Sequence, residues 1–383
     1  MEFDLYSKTN IFFGAGKIAR LDGLVGPEEC VLLLFGGGSI KRNGVHRQVT
    51  DALRGRRIAE FGGVEANPEY ETILAAARLA RREGCTLVLG VGGGSVIDAS
   101  KFLATIIPIE APDPWDWLRE GNAPTRILRN GAVLTLPATG SESNPVSVIS
   151  RHARGLKVPF AYQEARPDFA ILDPSTMKSL GRRQLENGVV DAVSHVIEQY
   201  LTLADDAPLQ HGYSEVLLEA LFEWGPRLVE EDCDQARETV MWAANQALNG
   251  LIGSGVAQDW SSHMIGHAIT ALHGIDHART LSMVMPALLR YKLDQKLPML
   301  ARYARRVWKI EEPDDRKAAA AAIDRTEDFF RRMGCPVSLS EAEGAVIEPR
   351  ALVEHIEKAG QFPLGENRDI TGEDVLRILK EAA

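Results

Sequence analysis

The chain has 383 residues, of which 45% are hydrophobic and 25% charged, and this length and composition are typical of a globular protein with two domains. Its formal net charge of −10 argues against a nucleic-acid partner, because nucleic acids are bound by basic surfaces. We find no signal peptide, no apolar run long enough to span a membrane and no Cys-x-x-Cys pair among the four cysteines. These features predict a cytoplasmic location and no membrane partner.

Residues 1–180 alternate short apolar runs with amphipathic runs, which is the pattern of an α/β domain. The run at 30–35 is apolar almost throughout, as expected of a strand that is covered on both faces. Two successive strand–glycine–helix units predict a parallel sheet with crossover helices. We predict strands at 11–13, 30–35, 86–91, 132–136, 146–149 and 169–172, and helices at 45–53, at 71–84 and after Ser95.

Two glycine clusters follow predicted strands and lead into predicted helices. Glycines after a strand let backbone amides approach a ligand closely, and the positive end of the helix attracts a phosphate. Gly92-Gly-Gly-Ser95 is therefore the candidate pyrophosphate site, although neither it nor Gly36-Gly-Gly-Ser39 matches GxGxxG and either could be a structural turn. A third turn, Thr139-Gly-Ser141, could bind a phosphate or the nicotinamide end of a dinucleotide.

The glycine cluster at Gly36 indicates which dinucleotide is bound. In nucleotide-binding sheets an acidic residue near a strand end holds the adenosine ribose 2′-hydroxyl of NAD. Here the strand at 30–35 is followed by Ser39, Lys41 and Arg42, and we expect no carboxylate that would repel a 2′-phosphate. The hydroxyl and the two cations favour NADP(H).

The sequence pattern changes near residue 180, where strand signals largely end and long helical runs begin. We therefore predict two domains: an α/β dinucleotide-binding domain at 1–180 and an all-helical, metal-binding and catalytic domain at 181–383. The predicted helices of the second domain are 184–203, 211–231, 234–253, 259–273, 280–293, 297–308, 315–333 and 373–382.

Histidines cluster in the predicted helical domain. His195 follows Asp191 at the i,i+4 spacing that puts both side chains on one helix face, and His263 and His267 repeat this spacing. Single histidines on helices are more often structural, but three imidazoles and one carboxylate form a plausible set for zinc or ferrous iron. A zinc protease is excluded, because Met264 occupies the position of the general-base Glu in His-Glu-x-x-His. Four of the nine histidines lie in one short segment: His263, His267, His273 and His277.

Taken together, these motifs resemble the iron-containing (group III) alcohol dehydrogenase family, and within it the branch of NADPH-dependent butanol dehydrogenases and aldehyde reductases. The resemblance covers almost the full length of the chain. The family motifs are Gly92-Gly-Gly-Ser95, Thr135-Leu-Pro-Ala-Thr139-Gly-Ser-Glu142, Asp191-x-x-x-His195 and the segment from His263 to His277. The branch is indicated by Gly36-Gly-Gly-Ser39, Gln258-Asp-Trp260 and Leu364-Gly-Glu-Asn-Arg-Asp-Ile.

The resemblance implies a dehydroquinate synthase-like fold, an active site in the cleft between the domains, and a homodimer. It implies hydride transfer between NADP(H) and a small primary alcohol or aldehyde, such as butanol or butyraldehyde. The implied ligands of Fe(II) or Zn(II) are Asp191, His195, His263 and His277, with His267 beside the metal as the catalytic proton relay. The implied cofactor contacts are Gly38, Ser39, Asn67, Gly93, Gly94, Ser95, Asp98, Thr135, Thr139 and Lys157. Lys41 is a further candidate, because its charge favours a 2′-phosphate.

Two other functions remain open at this stage. A metal-dependent lyase of the dehydroquinate synthase type would share the fold and keep its nicotinamide as a catalytic partner. It would need several basic residues around a charged substrate, and the segments around Asp191 and His263 lack them. A metal-dependent hydrolase would bind no dinucleotide, and its glycine clusters would be structural turns.

Overall fold

The computed structural model describes residues 2–204, 206–342 and 344–383. The chain divides into two compact units, Tyr6–Leu180 and Gly181–Ala383, and residues up to Leu5 are grouped with the second unit. Among the described residues, no helix combines the length and the apolar character that crossing a membrane requires.

The first unit contains both strands and helices. Its strands are β1 Asn10–Phe13, β2 Cys30–Phe35, β3 Arg57–Phe61, β4 Leu87–Gly93, β5 Arg129–Leu136, β6 Val146–Arg151, β7 Leu156–Ala161 and β8 Phe169–Leu172. Its α-helices are α1 Leu21–Leu24, α2 Ser39–Arg42, α3 Val45–Ala52, α4 Tyr70–Glu83, α5 Gly94–Ile106 and α6 Pro114–Arg119.

Six of these strands form one parallel sheet in the order β1-β8-β5-β4-β2-β3. Strand β2 is buried at every position, and its Leu33 and Phe35 belong to the same apolar cluster as Val45 and Val49 of α3. Because β2, β4 and β5 are parallel neighbours, their carboxyl ends lie at one edge of the sheet. This is the edge at which open α/β sheets bind ligands, and all three glycine- and hydroxyl-rich loops start there.

The predicted α/β fold with a parallel sheet is confirmed, but two strands were not predicted. Strand β3 is only five residues long, lies at the edge of the sheet and is half-exposed, so its sequence shows no buried run. Strand β6, predicted at 146–149, is present, but it pairs antiparallel with the unpredicted β7 in a separate two-stranded sheet.

The described part of the second unit is helical, apart from an isolated bridge between Leu364 and Ile370. Helix α11 packs against both α7 and α10, and this arrangement positions the predicted metal ligands. All eight helices predicted in this unit are found with shifted ends, and α14 is a further helix that the sequence analysis did not predict. The helices are α7 Arg182–Tyr200, α8 Pro208–Glu230, α9 Asp234–Ala247, α10 Ser261–His273, α11 His277–Tyr291, α12 Leu293–Arg306, α13 Asp315–Arg332, α14 Pro349–Lys358 and α15 Gly372–Glu381.

Candidate functional site

Three helices bring the predicted metal ligands together. Asp191 and His195 lie one turn apart on α7, and His263 lies in the first turn of α10. One ligand atom from each of these three side chains lies within 4.8 Å of the other two. His277 is the first residue of α11, and its Nε2 lies 3.9 Å from Asp191 Oδ1. Ligand atoms that share one ion at about 2.1 Å lie at most roughly 4.2 Å apart, so small side-chain movements would complete this set.

His267 lies beside this set, one turn after His263 on α10. Its ring centroid is 4.7 Å from that of His277 and 6.2 Å from that of His263. The His267 side chain is buried, as are Asp191, His195 and His263, whereas 22% of the His277 side chain is exposed. The most accessible side of the cluster is therefore the side of His277.

Glu198 is a buried partner of His263 that the sequence analysis did not single out. Its Oε2 is hydrogen-bonded to His263 Nδ1, and its Oε1 accepts a hydrogen bond of 2.7 Å from the backbone N–H of Ser262. Burial raises the pKa of Glu198 well above its ordinary value, and the nearby Asp259 carboxylate raises it further. Carboxylates that bind the second nitrogen of a metal-ligating histidine fix the orientation and tautomer of its ring.

A buried cation connects the start of α10 with the C-terminal segment of the chain. Lys296 on α12 is 1% exposed, and its Nζ lies 3.0 Å from Asp259 Oδ2 and 2.6 Å from Glu366 Oε1. Burial lowers the pKa of Lys296, but the two carboxylates outweigh this and raise it overall. Asp259 also accepts a hydrogen bond of 2.9 Å from the backbone N–H of Ser261, the first residue of α10. Glu366, in the Leu364-Gly-Glu-Asn-Arg-Asp-Ile motif, thus helps to hold the metal-site helix.

Trp260 contacts two of the predicted ligands from the residue before α10. Its ring centroid lies 5.2 Å from that of His263 and 6.3 Å from that of His195. Its indole Nε1–H donates a hydrogen bond of 3.1 Å to Gln258 Oε1. The Gln258-Asp-Trp260 motif therefore forms part of the wall of this site.

In the α/β unit, the predicted cofactor residues lie at and around the carboxyl ends of β2, β4 and β5. Gly38 adopts a left-handed conformation with φ 86° immediately before α2, and Gly93 ends β4 immediately before α5. A Cβ atom on Gly94 would lie 2.4 Å from Thr139 Oγ1, so the start of α5 packs closely on the loop after β5 only because residue 94 is glycine. Ser39 begins α2, and Thr135 lies on β5 next to its last residue.

Several of these residues hold the neighbouring loops in place. Asp98 accepts hydrogen bonds from the Ser141 hydroxyl and, at 2.9 Å, from the backbone N–H of Val148. Lys157 on β7 donates a hydrogen bond of 2.9 Å to Asn67 Oδ1 in the loop after β3. The Ser95 hydroxyl donates to the backbone carbonyl of Ala66 in that same loop.

The expectation that no carboxylate lies near Lys41 is wrong. Lys41 Nζ lies 3.0 Å from Oε2 of Glu60, whose Oε1 lies 2.9 Å from His46 Nε2. Glu60 is on β3, which pairs with β2 at the edge of the sheet. The half-exposed sequence of β3 does not predict a strand, and without that strand nothing in the sequence indicates that this carboxylate lies beside the loop after β2.

Comparison with known proteins agrees with the resemblance. A family model described as iron-containing alcohol dehydrogenase matches residues 8–174, and one described as Fe-containing alcohol dehydrogenase family, C-terminal, matches residues 186–383. The chain is 47% identical to the NADPH-dependent aldehyde reductase YqhD of Escherichia coli K12, over 100% of this chain and 99% of that protein. It is 33% identical to NADH-dependent butanol dehydrogenase A of Clostridium acetobutylicum, over 100% of both chains.

Solved structures give the same result. The crystal structure of E. coli K-12 YqhD superposes with a TM-score of 0.97 at 46% identity, covering 100% of this chain and 99% of that one. The structure of NADH-dependent butanol dehydrogenase A from Thermotoga maritima superposes with a TM-score of 0.94 at 31% identity, covering 100% and 98% of the two chains.

Proposed function

We propose, because the chain belongs to the iron-containing alcohol dehydrogenase family, that it is a metal-dependent aldehyde reductase and alcohol dehydrogenase that uses NADP(H). Its substrates would be small primary alcohols and aldehydes of the butanol and butyraldehyde type. The observation that carries the proposal is the set of one carboxylate and three imidazoles in the helical unit, in which Asp191, His195 and His263 are buried and His277 is partly exposed. Family membership favours a dehydrogenase over the lyase and the hydrolase that share some of these features.

The donor set fits Fe(II) or Zn(II), both of which accept imidazole and carboxylate ligands. Asp191, His195, His263 and His277 would hold the ion. The hydrogen bond between His263 Nδ1 and the Glu198 carboxylate supports this assignment, because a ring that donates from Nδ1 would leave its Nε2 free to bind the metal. When bound, such an ion polarises an aldehyde carbonyl or lowers the pKa of an alcohol.

The remaining catalytic residue would be His267. Its ring lies 4.7 Å from that of His277 but outside the ligand cluster, so it would carry the proton of the reaction on a ring nitrogen. Trp260 and the surrounding buried side chains would exclude water from the reacting carbon.

The α/β unit would hold the dinucleotide, which supplies or accepts the hydride when bound. The backbone at Gly93, Gly94 and Ser95 would bind the pyrophosphate at the start of α5. Ser39 and Lys41 would lie near the 2′-phosphate. Asp98 and Lys157 would also help to bind the cofactor. Their hydrogen bonds with Ser141 and Asn67 support this role, because they hold these two loops beside the site. Thr135 and Thr139 would contact the nicotinamide half.

The test is reduction of butyraldehyde with NADPH and with NADH, on protein stripped of metal and reloaded anaerobically with Fe(II) or Zn(II). We expect metal-dependent oxidation of NADPH well above that of NADH. Turnover with NADH alone would agree with an alcohol dehydrogenase, but it would refute the prediction from Ser39 and Lys41 that the enzyme uses NADP(H). No turnover with either nucleotide over a panel of small aldehydes would refute the reductase.

The homodimer and the cytoplasmic location stay predictions. Sedimentation velocity of the purified protein tests the first, and fractionation of the native host tests the second.

A further inference from the structure

Glu60 lies at the edge of the sheet beside the loop that would bind the adenosine end of the cofactor. It pairs in register with Leu33 of β2, next to the last residue of β3. Because β2 and β3 are parallel, this places Glu60 near the carboxyl end of β2, where the loop to Ser39 begins. The acidic residue that the sequence lacks at the end of β2 is thus supplied by the neighbouring strand.

Both oxygens of the Glu60 carboxylate face basic side chains. Lys41 Nζ lies 3.0 Å from one oxygen, and His46 Nε2 lies 2.9 Å from the other. Partial burial raises the pKa of Glu60, but hydrogen bonds from Lys41 and His46 outweigh it and hold the pKa below its ordinary value. Glu60 is therefore an anion at neutral pH.

The Lys41 side chain contacts Phe35 as well as Glu60. Its Nζ lies 4.8 Å from the centre of the Phe35 ring, a cation–π distance. The side chains of Lys41 and Glu60 are 50% and 36% exposed, so a ligand can reach both. Exposed ion pairs contribute little to stability, so we expect that either residue can be replaced without loss of the fold.

NADPH and NADH would interact differently with Lys41 and Glu60. A 2′-phosphate carries a charge of about −1.5 to −2 near neutral pH. To bind Lys41 it must compete with Glu60 for the cation and lie close to a second anion. A ribose 2′-hydroxyl is instead a hydrogen-bond donor, and a carboxylate near a strand end is the acceptor that NAD-binding sheets use for it.

We propose that Glu60 limits the preference of this enzyme for NADPH over NADH: it neutralises Lys41, repels the 2′-phosphate and accepts a hydrogen bond from the 2′-hydroxyl of NADH. The proposal rests on the proposed function, in which the segment Gly36 to Lys41 binds the adenosine ribose. Glu60 would then be a specificity-determining residue that favours NADH, whereas Ser39 and Lys41 favour NADPH. Removing its charge would make the enzyme more selective for NADPH.

The test measures binding of 2′,5′-ADP and of 5′-AMP to the full-length enzyme by calorimetry. These probes carry the adenosine ribose with and without the 2′-phosphate, and neither takes part in the reaction. For Glu60→Gln we expect 2′,5′-ADP to bind roughly fivefold tighter, the size expected of one partly exposed charge contact, and 5′-AMP to bind more weakly. The ratio of kcat/KM for NADPH to that for NADH should rise in parallel.

Asp51→Asn is the matched control. Asp51 lies on α3 of the same unit and forms an exposed pair with Arg54 at 2.9 Å, so this variant removes one negative charge without touching Lys41. It should leave the affinity for both probes unchanged. Lys41→Met should weaken binding of 2′,5′-ADP and not of 5′-AMP.

Three results would contradict these expectations in different ways. If Glu60→Gln weakens binding of 2′,5′-ADP, Glu60 serves to hold Lys41 for the phosphate and the proposal is overturned. If it changes neither affinity while the wild-type enzyme prefers 2′,5′-ADP, the proposal is overturned and the NADP(H) function stands. If the wild-type enzyme binds 2′,5′-ADP no better than 5′-AMP and oxidises only NADH, the proposed NADP(H) dependence itself fails, and the proposal with it.

Discussion

His277 Nε2 lies 3.9 Å from Asp191 Oδ1, although the two residues come from different helices, α11 and α7. If both bind one ion, losing either ligand should release it. We expect His277→Ala and His263→Ala each to lose the metal and turnover together. His267→Ala should retain the metal and lose roughly a hundredfold or more in kcat, as expected when a general acid–base is removed. Metal analysis of the purified variants, combined with kcat, checks this; a His277→Ala or His263→Ala enzyme with full metal and full activity would refute the ligand assignment.

Glu198 should act on the metal through His263. Glu198→Gln keeps the size of the side chain but weakens the hydrogen bond to His263 Nδ1, and loss of such a partner lowers metal affinity by roughly 10- to 100-fold. Competition with a chelator measures the affinity. Glu186→Gln is the control, because Glu186 lies on the same helix, is also buried and pairs with Arg182 at 2.8 Å. Equal metal affinity in the two variants would show that Glu198 does not orient His263.

The metal cluster could be predicted because its signals are local. The i,i+4 spacing of Asp191 and His195 is a property of one helix, and it is visible in the sequence. Glu198 could have been found in the same way, since it lies seven residues after Asp191 and so on the same face of α7. The buried ion pairs of Lys296 with Asp259 and Glu366 could not have been predicted, because they join three segments that are distant in sequence.

The predicted cofactor residues at the carboxyl ends of the strands show the same difference between local signals and long-range contacts. The glycine loops after β2 and β4 were found because each follows a strand directly. Glu60 was missed because β3 is half-exposed and its pairing with β2 is a long-range contact that no local pattern records. One unpredicted edge strand was enough to make the expected electrostatics around Lys41 wrong.

Gly94 is needed for the close approach of α5 to the loop after β5. A Cβ at residue 94 would lie 2.4 Å from Thr139 Oγ1 and 2.8 Å from its Cγ2, so Gly94→Ala must displace Thr139. We expect the KM values for NADPH and NADH to rise together by roughly tenfold, because a small misplacement of cofactor contacts is costly. Gly23→Ala is the control, since a Cβ at Gly23 would meet nothing within 4 Å. An unchanged KM in Gly94→Ala would exclude this loop from cofactor binding.

Lys296 should be a major determinant of the stability of the helical unit. Lys296→Met would leave Asp259 and Glu366 buried without their cation, and breaking a buried ion pair in this way costs about 3–5 kcal/mol. Arg316→Met, which removes an exposed pair with Asp294, should cost about 0–1 kcal/mol. The free energy of unfolding in urea measures both changes. Equal losses would show that the buried triad does not contribute more than a surface pair.

Asp374 should contribute to the free energy of unfolding in a way that depends on pH in the acid range. Partial burial raises the pKa of Asp374, but hydrogen bonds from Thr371 and Tyr291 outweigh it and lower the pKa from 3.8 to about 2. Because the folded state favours the ionised carboxylate, its contribution is complete above about pH 4 and is lost as the pH falls through about 2.

The size of this contribution follows from the shift of the pKa. The shift corresponds to about 2.4 kcal/mol at most, and we expect about 1 kcal/mol because the side chain is 18% exposed and partly screened. In Asp374→Asn the free energy of unfolding should therefore fall less steeply between pH 4 and pH 2 than in the wild-type protein. Glu373→Gln, at the exposed neighbouring position, should keep the wild-type slope. If Asp374→Asn also kept that slope, the hydrogen bonds at the start of α15 would not be the source of the acid sensitivity.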